Sequence, residues 1–463
     1  MGFISNFFQK QPSTPVQARL EINRTYPNDQ VKRVRLKLPL ALKVDKKFEL
    51  FAADRHKYEL NPPIEMTEIH KWQKRTGAQL PEDFILFLTQ IGNGGAGPYY
   101  GIARFEDSES RYDQTAALPS ILSPTMSDQE WQAISQIDDD CSDEEYDERY
   151  NLLHQGVFYL GTCGCEYDLL LVITGEYAGR ILYTHHWCDS EKPYFFSYEK
   201  NFLDWYERWL DEVIQEYNTG WFGHCLGGDE DTLLASYQNV QTNEERIQVI
   251  KGFHKLPMLS EKGADILERI VQQEHNDVYP YALKTLAQFA PERTTCYLLD
   301  DLKNDDNNIV SQAAGIVFFH HKANLKLFQQ QLLETLAKST DINTVRFIGY
   351  ILKELNAVEV EQFMHLFSCA DKDLASTAIY AASNDALLNQ KIALFFEVMV
   401  SDDERVALIA IQTLAKTRQH YEEALPFLEQ AWFKYPTEKN EYIRSNITSY
   451  LRDIGTSVQF SRN

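Results

Sequence analysis

A short helix that runs directly into five glycines within ten residues leaves the surrounding chain few ways to fold. Pro81-Glu82-Asp83-Phe84-Ile85-Leu86-Phe87-Leu88-Thr89-Gln90-Ile91 places Phe84, Phe87, Leu88 and Ile91 on one helical face. Pro81 and the two acids behind it suit a first turn. Gly92-Asn93-Gly94-Gly95-Ala96-Gly97-Pro98-Tyr99-Tyr100-Gly101 follows at once. Gly92 reads as the residue past the helix end, at positive φ, and Pro98 prevents the helix from resuming. Tyr99 to Phe105 then reads as a strand. Gly92, Gly94, Gly95, Gly97 and Gly101 are expected to be structural turn residues.

Gly92, Gly94 and Gly97 also spell G-x-G-x-x-G. That fingerprint binds dinucleotides when a strand precedes it and a helix follows. The order here is reversed, so the sequence reads as a helix-to-strand turn and implies no cofactor.

Leu80-Pro81-Glu82-Asp83-Phe84, Phe87-Leu88 and the Gly92–Gly101 stretch together resemble the opening of a SUKH-superfamily domain, over residues 60–217. That superfamily includes bacterial immunity proteins, which neutralise toxins by binding them, and a fungal regulator of cell-wall synthesis. Its pattern continues with a glycine before a long strand, a glycine-bounded hairpin and a closing helix around Phe202-Leu203-Asp204-Trp205-Tyr206. The resemblance implies an α+β domain: a mostly antiparallel sheet with helices against one face. Toxin partners in this superfamily are often nucleases or deaminases.

The residues themselves give the same outline. Val157–Leu160, Asp168–Thr174 and Arg180–Thr184 read as strands, the last two joined across Gly175–Gly179 as a hairpin. Phe202, Trp205, Trp209, Leu210 and Val213 mark an amphipathic helix. Ahead of this domain, residues 1–17 read as a flexible tail. Residues 18–60 read as a strand-bearing lead-in, from the alternation in Val34-Arg35-Leu36-Lys37-Leu38. The domain itself spans 61–217, and 218–230 form a linker.

From residue 231 to 463 the pattern is helical and repeats. Helix starts near Ile247, Val278, Val310, Val345, Leu374, Val406 and Ile443 are 31, 32, 35, 29, 32 and 37 residues apart. An acid or amide precedes each as an expected N-cap. Two short helices per unit stacked as an α-solenoid fit this spacing, and the segment resembles divergent HEAT-type repeats. The fold class is therefore α+β, a SUKH-type sheet domain followed by an all-α HEAT-like solenoid.

Composition limits the partners. The 463-residue chain carries a net charge of −23, which opposes nucleic acid and anionic membranes and steers basic partners toward it. Seven sparse cysteines suit reduced thiols in the cytoplasm. Met1 to Lys10 lacks the basic start and long apolar centre of a signal peptide, and Asn6 does not suit myristoylation. No apolar run reaches about 18 residues, so no membrane span is expected.

Acids dominate Ile137–Glu148: Asp138, Asp139, Asp140, Asp143, Glu144, Glu145, Asp147 and Glu148, with no Lys or Arg. The run reads as an exposed loop or a partner-binding arm. It lacks the central glycine and acid spacing of an EF-hand. Glu166 and Asp168, two apart at a strand start, point the same way; they cap a turn or contact a basic partner. Cys163-Gly164-Cys165 and His185-His186-Trp187-Cys188 are too tight for ordinary structural zinc and fit no thiol-nucleophile signature. The expectation is a non-enzymatic immunity protein that binds a protein toxin with a basic surface, without cofactor or metal. The alternative is an intracellular scaffold or regulator acting through the helical repeats. The sequence leaves the oligomeric state open.

Overall fold

The computed structural model describes residues 29–135, 141–185, 194–419, 421–435, 441–456 and 460. The expected tail at 1–17 and the acids Asp138, Asp139 and Asp140 lie outside the described residues, as do His186, Trp187 and Cys188. The chain divides into two compact units, residues 1–263 and 264–463.

The first unit is built on a four-stranded antiparallel meander, β1 (Val157–Gly164), β2 (Tyr167–Val172), β3 (Ile181–His185) and β4 (Tyr194–Phe196), in the order 1-2-3-4. Val157 pairs with Val172, Leu171 with Ile181 and Leu182 with Phe196. The first three strands match expectation, and β4 had no signal of its own. The sheet is buried on both faces. Phe158, Leu160, Leu169, Leu171 and Tyr183 face one core, with Trp72, Phe84, Phe202 and Trp205. Tyr159, Leu170, Val172 and Leu182 face a second core with Leu122, Trp131 and Leu153. Residues 103–153, polar overall, thus contribute a second cover, where helices on one face only were expected.

The lead-in is a helix, not a strand. α1 (Gln30–Val44) is capped by Asp29, whose side chain accepts from Lys32 N, and it buries Val34, Lys37 and Ala41. The alternation suggested a polar strand face at Arg35 and Lys37. Burial at i, i+3 and i+7 is helical instead, and Lys37 is drawn inward by acids on the closing helix (Phe202–Ile214). Arg33 donates to both Glu207 oxygens at 2.7 and 2.9 Å, and Lys37 Nζ to Glu207 and Asp211 at 2.8 Å each.

The helix entering the glycines is α-helical over Glu82–Leu86 and widens to a π turn over Phe87–Ile91, where Gly92 N donates to Phe87 O at 2.9 Å. Phe84 and Phe87 lie 4.8 and 4.9 Å from Phe202. Gly92 is extended, at φ 178°, which corrects the expectation of positive φ there. It is required for space: a Cβ would stand 2.8 Å from Leu60 Cβ. At Gly97 a Cβ would stand 2.8 Å from Ile102 Cγ1. Left-handed backbone falls instead at Gly94, Gly95 and Gly101. Gly101, at φ 89°, would carry a Cβ 2.2 Å from Gly95 O. Neither a side chain nor another backbone fits there.

The glycine loop is a hub. Gly95 bridges both Leu60 and Ile102, and Ala103 N donates to Leu160 O at 2.7 Å, tying the loop to β1. Tyr99–Phe105 therefore holds a single bridge where a strand was expected, with Tyr99 at φ 57°. Residues 218–230 pack within this unit: Phe222 is buried, its carbonyl accepts from Tyr99 Oη at 2.9 Å, and Leu226 O accepts from Lys255 Nζ at 2.8 Å. Helices Glu230–Asn239 and Asn243–Phe253 also fall in the first unit.

The described residues of the second unit are helical or irregular. Six long helices pack in chain order: Val278–Phe289, Asn307–His320, Ile342–Glu354, Lys372–Ala382, Glu404–Thr417 and Glu441–Asp453. Shorter helices and 3-10 turns lie between them. Asp306, Asp341, Asp371 and Asp403 accept from backbone N–H groups as N-caps. A ladder of bonds about one repeat long links neighbours. Thr335 donates to Leu302 O and Lys416 to Ser383, each 33 residues away, and Arg405–Asp373 and Lys434–Asp402 each span 32. Among the described residues no helix is long and apolar enough to cross a membrane.

Candidate protein-binding face

The β1–β2 turn is the point where the first unit presents polar chemistry on rigid backbone. Gly164, Cys165 and Glu166 are consecutive residues at φ 86, 47 and 73°. Left-handed backbone at non-glycine residues costs on the order of 1 kcal/mol each and persists where the surroundings fix it. Here Thr162 fixes it: its hydroxyl donates to Tyr167 O at 2.9 Å and accepts from Gly164 N at 3.0 Å. The Tyr100 ring lies so close over Gly164 that a Cβ there would sit 2.8 Å from Cε2.

Glu166 is exposed on this turn, two residues after Gly164, where the Tyr100 ring packs, and next to Tyr167 in sequence. Tyr100 and Tyr167 are 42 and 38% exposed, and Phe51, also exposed, lies 5.6 Å from Tyr100. Glu166 Oε2 is 3.5 Å from His185 Nε2, and the His185 ring packs 4.8 Å from Tyr167. Tyrosines that keep exposed area on rigid backbone beside a charge are typical interface anchors.

Asp168 does not join Glu166. The left-handed turn places Glu166 before the strand begins, while Asp168 lies within β2, 4% exposed. Its carboxylate is 3.9 Å from Arg111, whose guanidinium stacks 3.7 Å over the Tyr159 ring. The expectation that the two acids point the same way is therefore corrected. Burial, with Asp168 second, pushes the Cys163 thiol up, so it stays protonated near neutral pH. Cys165 is exposed. Among the described residues no group of three His, Cys, Asp or Glu side chains is placed to hold a metal ion.

The acidic run, where described, is a helix rather than a loop. Ser142 and Glu145 form a capping box ahead of Asp143–Leu153. Glu145 accepts from Ser142 N at 2.9 Å, which holds its carboxyl below the usual range. Asp143, Glu144 and Glu145 occupy the first turn, where the helix dipole favours anions. Leu153 is buried and anchors the helix to the second core. Asp143, Glu144, Asp147 and Glu148 are exposed. The glycines Gly92, Gly94 and Gly97 are buried, and Gly95 is half-buried, so the loop offers a partner little beyond Tyr100.

Sequence reasoning found Glu166 but not Tyr100, Tyr167 or Phe51. The signal for Tyr100 was its position in the glycine stretch. Nothing in Cys165-Glu166 announces a left-handed turn, since neither residue favours one.

No family model matches the chain, and no curated protein does. Among solved structures it is similar to two engineered proteins. One is 15% identical over 53% of this chain and 71% of its own, with a TM-score of 0.34. The other is 15% identical over 49% of this chain and 96% of its own, with a TM-score of 0.28. Scores this low carry no argument about fold or function.

Proposed function

We propose that the protein is a cytoplasmic, non-enzymatic immunity protein that binds a basic protein toxin in a stoichiometric complex. The observation that carries this reading is Glu166 exposed on a strained, hydrogen-bonded turn, next to Tyr167 and two residues after Gly164, where the Tyr100 ring packs. Rigid aromatic anchors bind with little loss of side-chain entropy, and an adjacent carboxylate selects a cationic partner. The net charge of −23 and the exposed acids of Asp143–Glu148 steer such a partner toward the chain. The helix–glycine-loop–meander–helix order is what the SUKH resemblance implies.

The test is titration calorimetry of the full chain with the toxin encoded beside its gene. One-to-one binding is expected. Tyr100→Ala, Glu166→Gln and Tyr167→Ala combined should weaken it at least about 100-fold at an unchanged melting temperature. Unchanged affinity would contradict the reading. The alternative is a scaffold acting through a HEAT-like helical stack, favoured by the ladder of bonds at repeat spacing. The absence of any toxin gene nearby would move the balance to it.

A further inference from the structure

Three exposed rings of the second unit fall in register. Phe319, Tyr350 and Tyr380 are 52, 36 and 49% exposed, on three helices that pack in succession. Phe318 lies 5.0 Å from Phe319 and 5.4 Å from Tyr350, making the first part of the row continuous. Tyr350 and Tyr380 neighbour Gly349 and Ala381, where the two helices are close: a Cβ on Gly349 would be 2.7 Å from Ala381 Cβ.

Lysines follow the same row. Lys322 Nζ lies 3.8 Å over the Phe318 ring and pairs with Glu354. Lys416 Nζ lies 5.1 Å from the Tyr380 ring centre and donates to Ser383 Oγ at 2.6 Å. Lys353 lies on the helix of Tyr350, three residues on and so on the same side, and burial, then the Lys353 charge, lower the Lys416 pKa. Neither Lys353 nor Lys416 forms an ion pair among the described residues.

Cations near helix C-termini complement the helix dipole, which is reason enough for lysines there. It is no reason for a row of exposed rings between them. In a chain of net charge −23, a ridge with two lysines lacking carboxylate partners is a local reversal of sign. Its complement is an anion that also carries apolar groups.

We propose that this ridge is a second interaction surface, which takes an extended acidic peptide segment bearing aromatic side chains. Carboxylates of the segment meet Lys353 and Lys416, and its rings pack against Phe319, Tyr350 and Tyr380. The Glu166 face prefers the opposite charge, so the two surfaces serve different partners.

The test uses the full chain and a fluorescein-labelled peptide of three Glu-Phe-Glu-Gly repeats, followed by anisotropy. Binding is expected at low salt and should weaken about tenfold by about 300 mM. Lys353→Glu with Lys416→Glu should cost at least about tenfold, and Tyr350→Ala with Tyr380→Ala about fivefold. Lys353, Tyr350 and Tyr380 are exposed, while the Lys416 ammonium makes a part-buried bond to Ser383. Each variant is therefore compared at a melting temperature measured alongside, and the Tyr pair tests the ridge without changing Lys416. The proposal is overturned by absence of binding at about 1 mM peptide. Equal affinity in the double-charge variant would also overturn it, as would equal binding of a peptide with Lys in place of Glu. Tighter binding of single-stranded DNA through the same residues would assign the ridge to nucleic acid instead.

Discussion

In the first unit the side chains that fix position come from distant parts of the sequence: Arg33 and Glu207 are 174 residues apart, Tyr99 and Phe222 123. In the second unit comparable bonds span about one repeat, from 22 residues in Tyr279–Asp301 to 34 in Tyr435–Ser401. Individual glycines differ too. Gly94, Gly101 and Gly161 of the first unit sit where two backbones touch, while Gly315 and Gly349 of the helical unit meet side chains. A unit closed by distant contacts has no neighbour to share a local defect. A stack of near-equivalent pieces confines it.

The largest expected effect is on the buried ion cluster. Glu207→Ala leaves Lys37, whose side chain is 7% exposed, short of one of its two carboxylates. Breaking such a pair costs about 3–5 kcal/mol, read by denaturant unfolding of the first unit. A loss below about 1 kcal/mol would make the cluster a surface network. Gly101→Ala should cost about 3 kcal/mol or more, since the new Cβ collides with Gly95 O at positive φ. Gly315→Ala in the second unit meets only the Phe347 ring edge at 3.2 Å. Its helix-propensity gain of about 1 kcal/mol should leave it neutral or stabilising. Equal losses at the two glycines would erase the contrast.

Acid should act on both units through buried histidines. His56 in the first and His321 in the second are each lowered by burial to about 4. His321 Nε2 lies 2.9 Å from Thr294 Oγ1, with the ring against Phe328. The unfolded chain binds these protons near the ordinary histidine value, the folded chain only near 4. Stability is therefore full above about 6.5 and is lost as pH falls from there toward 4. His321→Gln in the full chain should flatten that loss for residues 264–463, followed by segment-resolved hydrogen exchange, and leave 1–263 unchanged. The smallest effect is at the repeat caps: Asp341→Ala should cost about 1 kcal/mol, felt in its own helix and the adjacent ones.

What could be read from the sequence follows the same division. Strands β1 to β3, the closing helix and the repeat spacing rest on local periodicity and turn residues, and the structure places elements there. The Val34–Leu38 alternation argues locally for a strand at 30–44, where the chain is helical. The ion cluster that decides it lies across the fold. The acids at 143–148 read by charge alone as an exposed loop or partner-binding arm, whereas the Ser142–Glu145 capping box starts a helix there. Glu166 was visible as an acid beside a glycine turn. Its separation from Asp168 depends on two left-handed residues whose side chains give no sign of it.

The proposed complex forms on the first unit, through the β1–β2 turn. Hydrogen exchange of the full chain, free and saturated with its protein partner, tests it most directly. New protection is expected at residues 163–168 and around Tyr100, with little change along 319–416. Protection confined to 264–463, with the β1–β2 turn unaltered, would contradict it and give the complex to the helical stack.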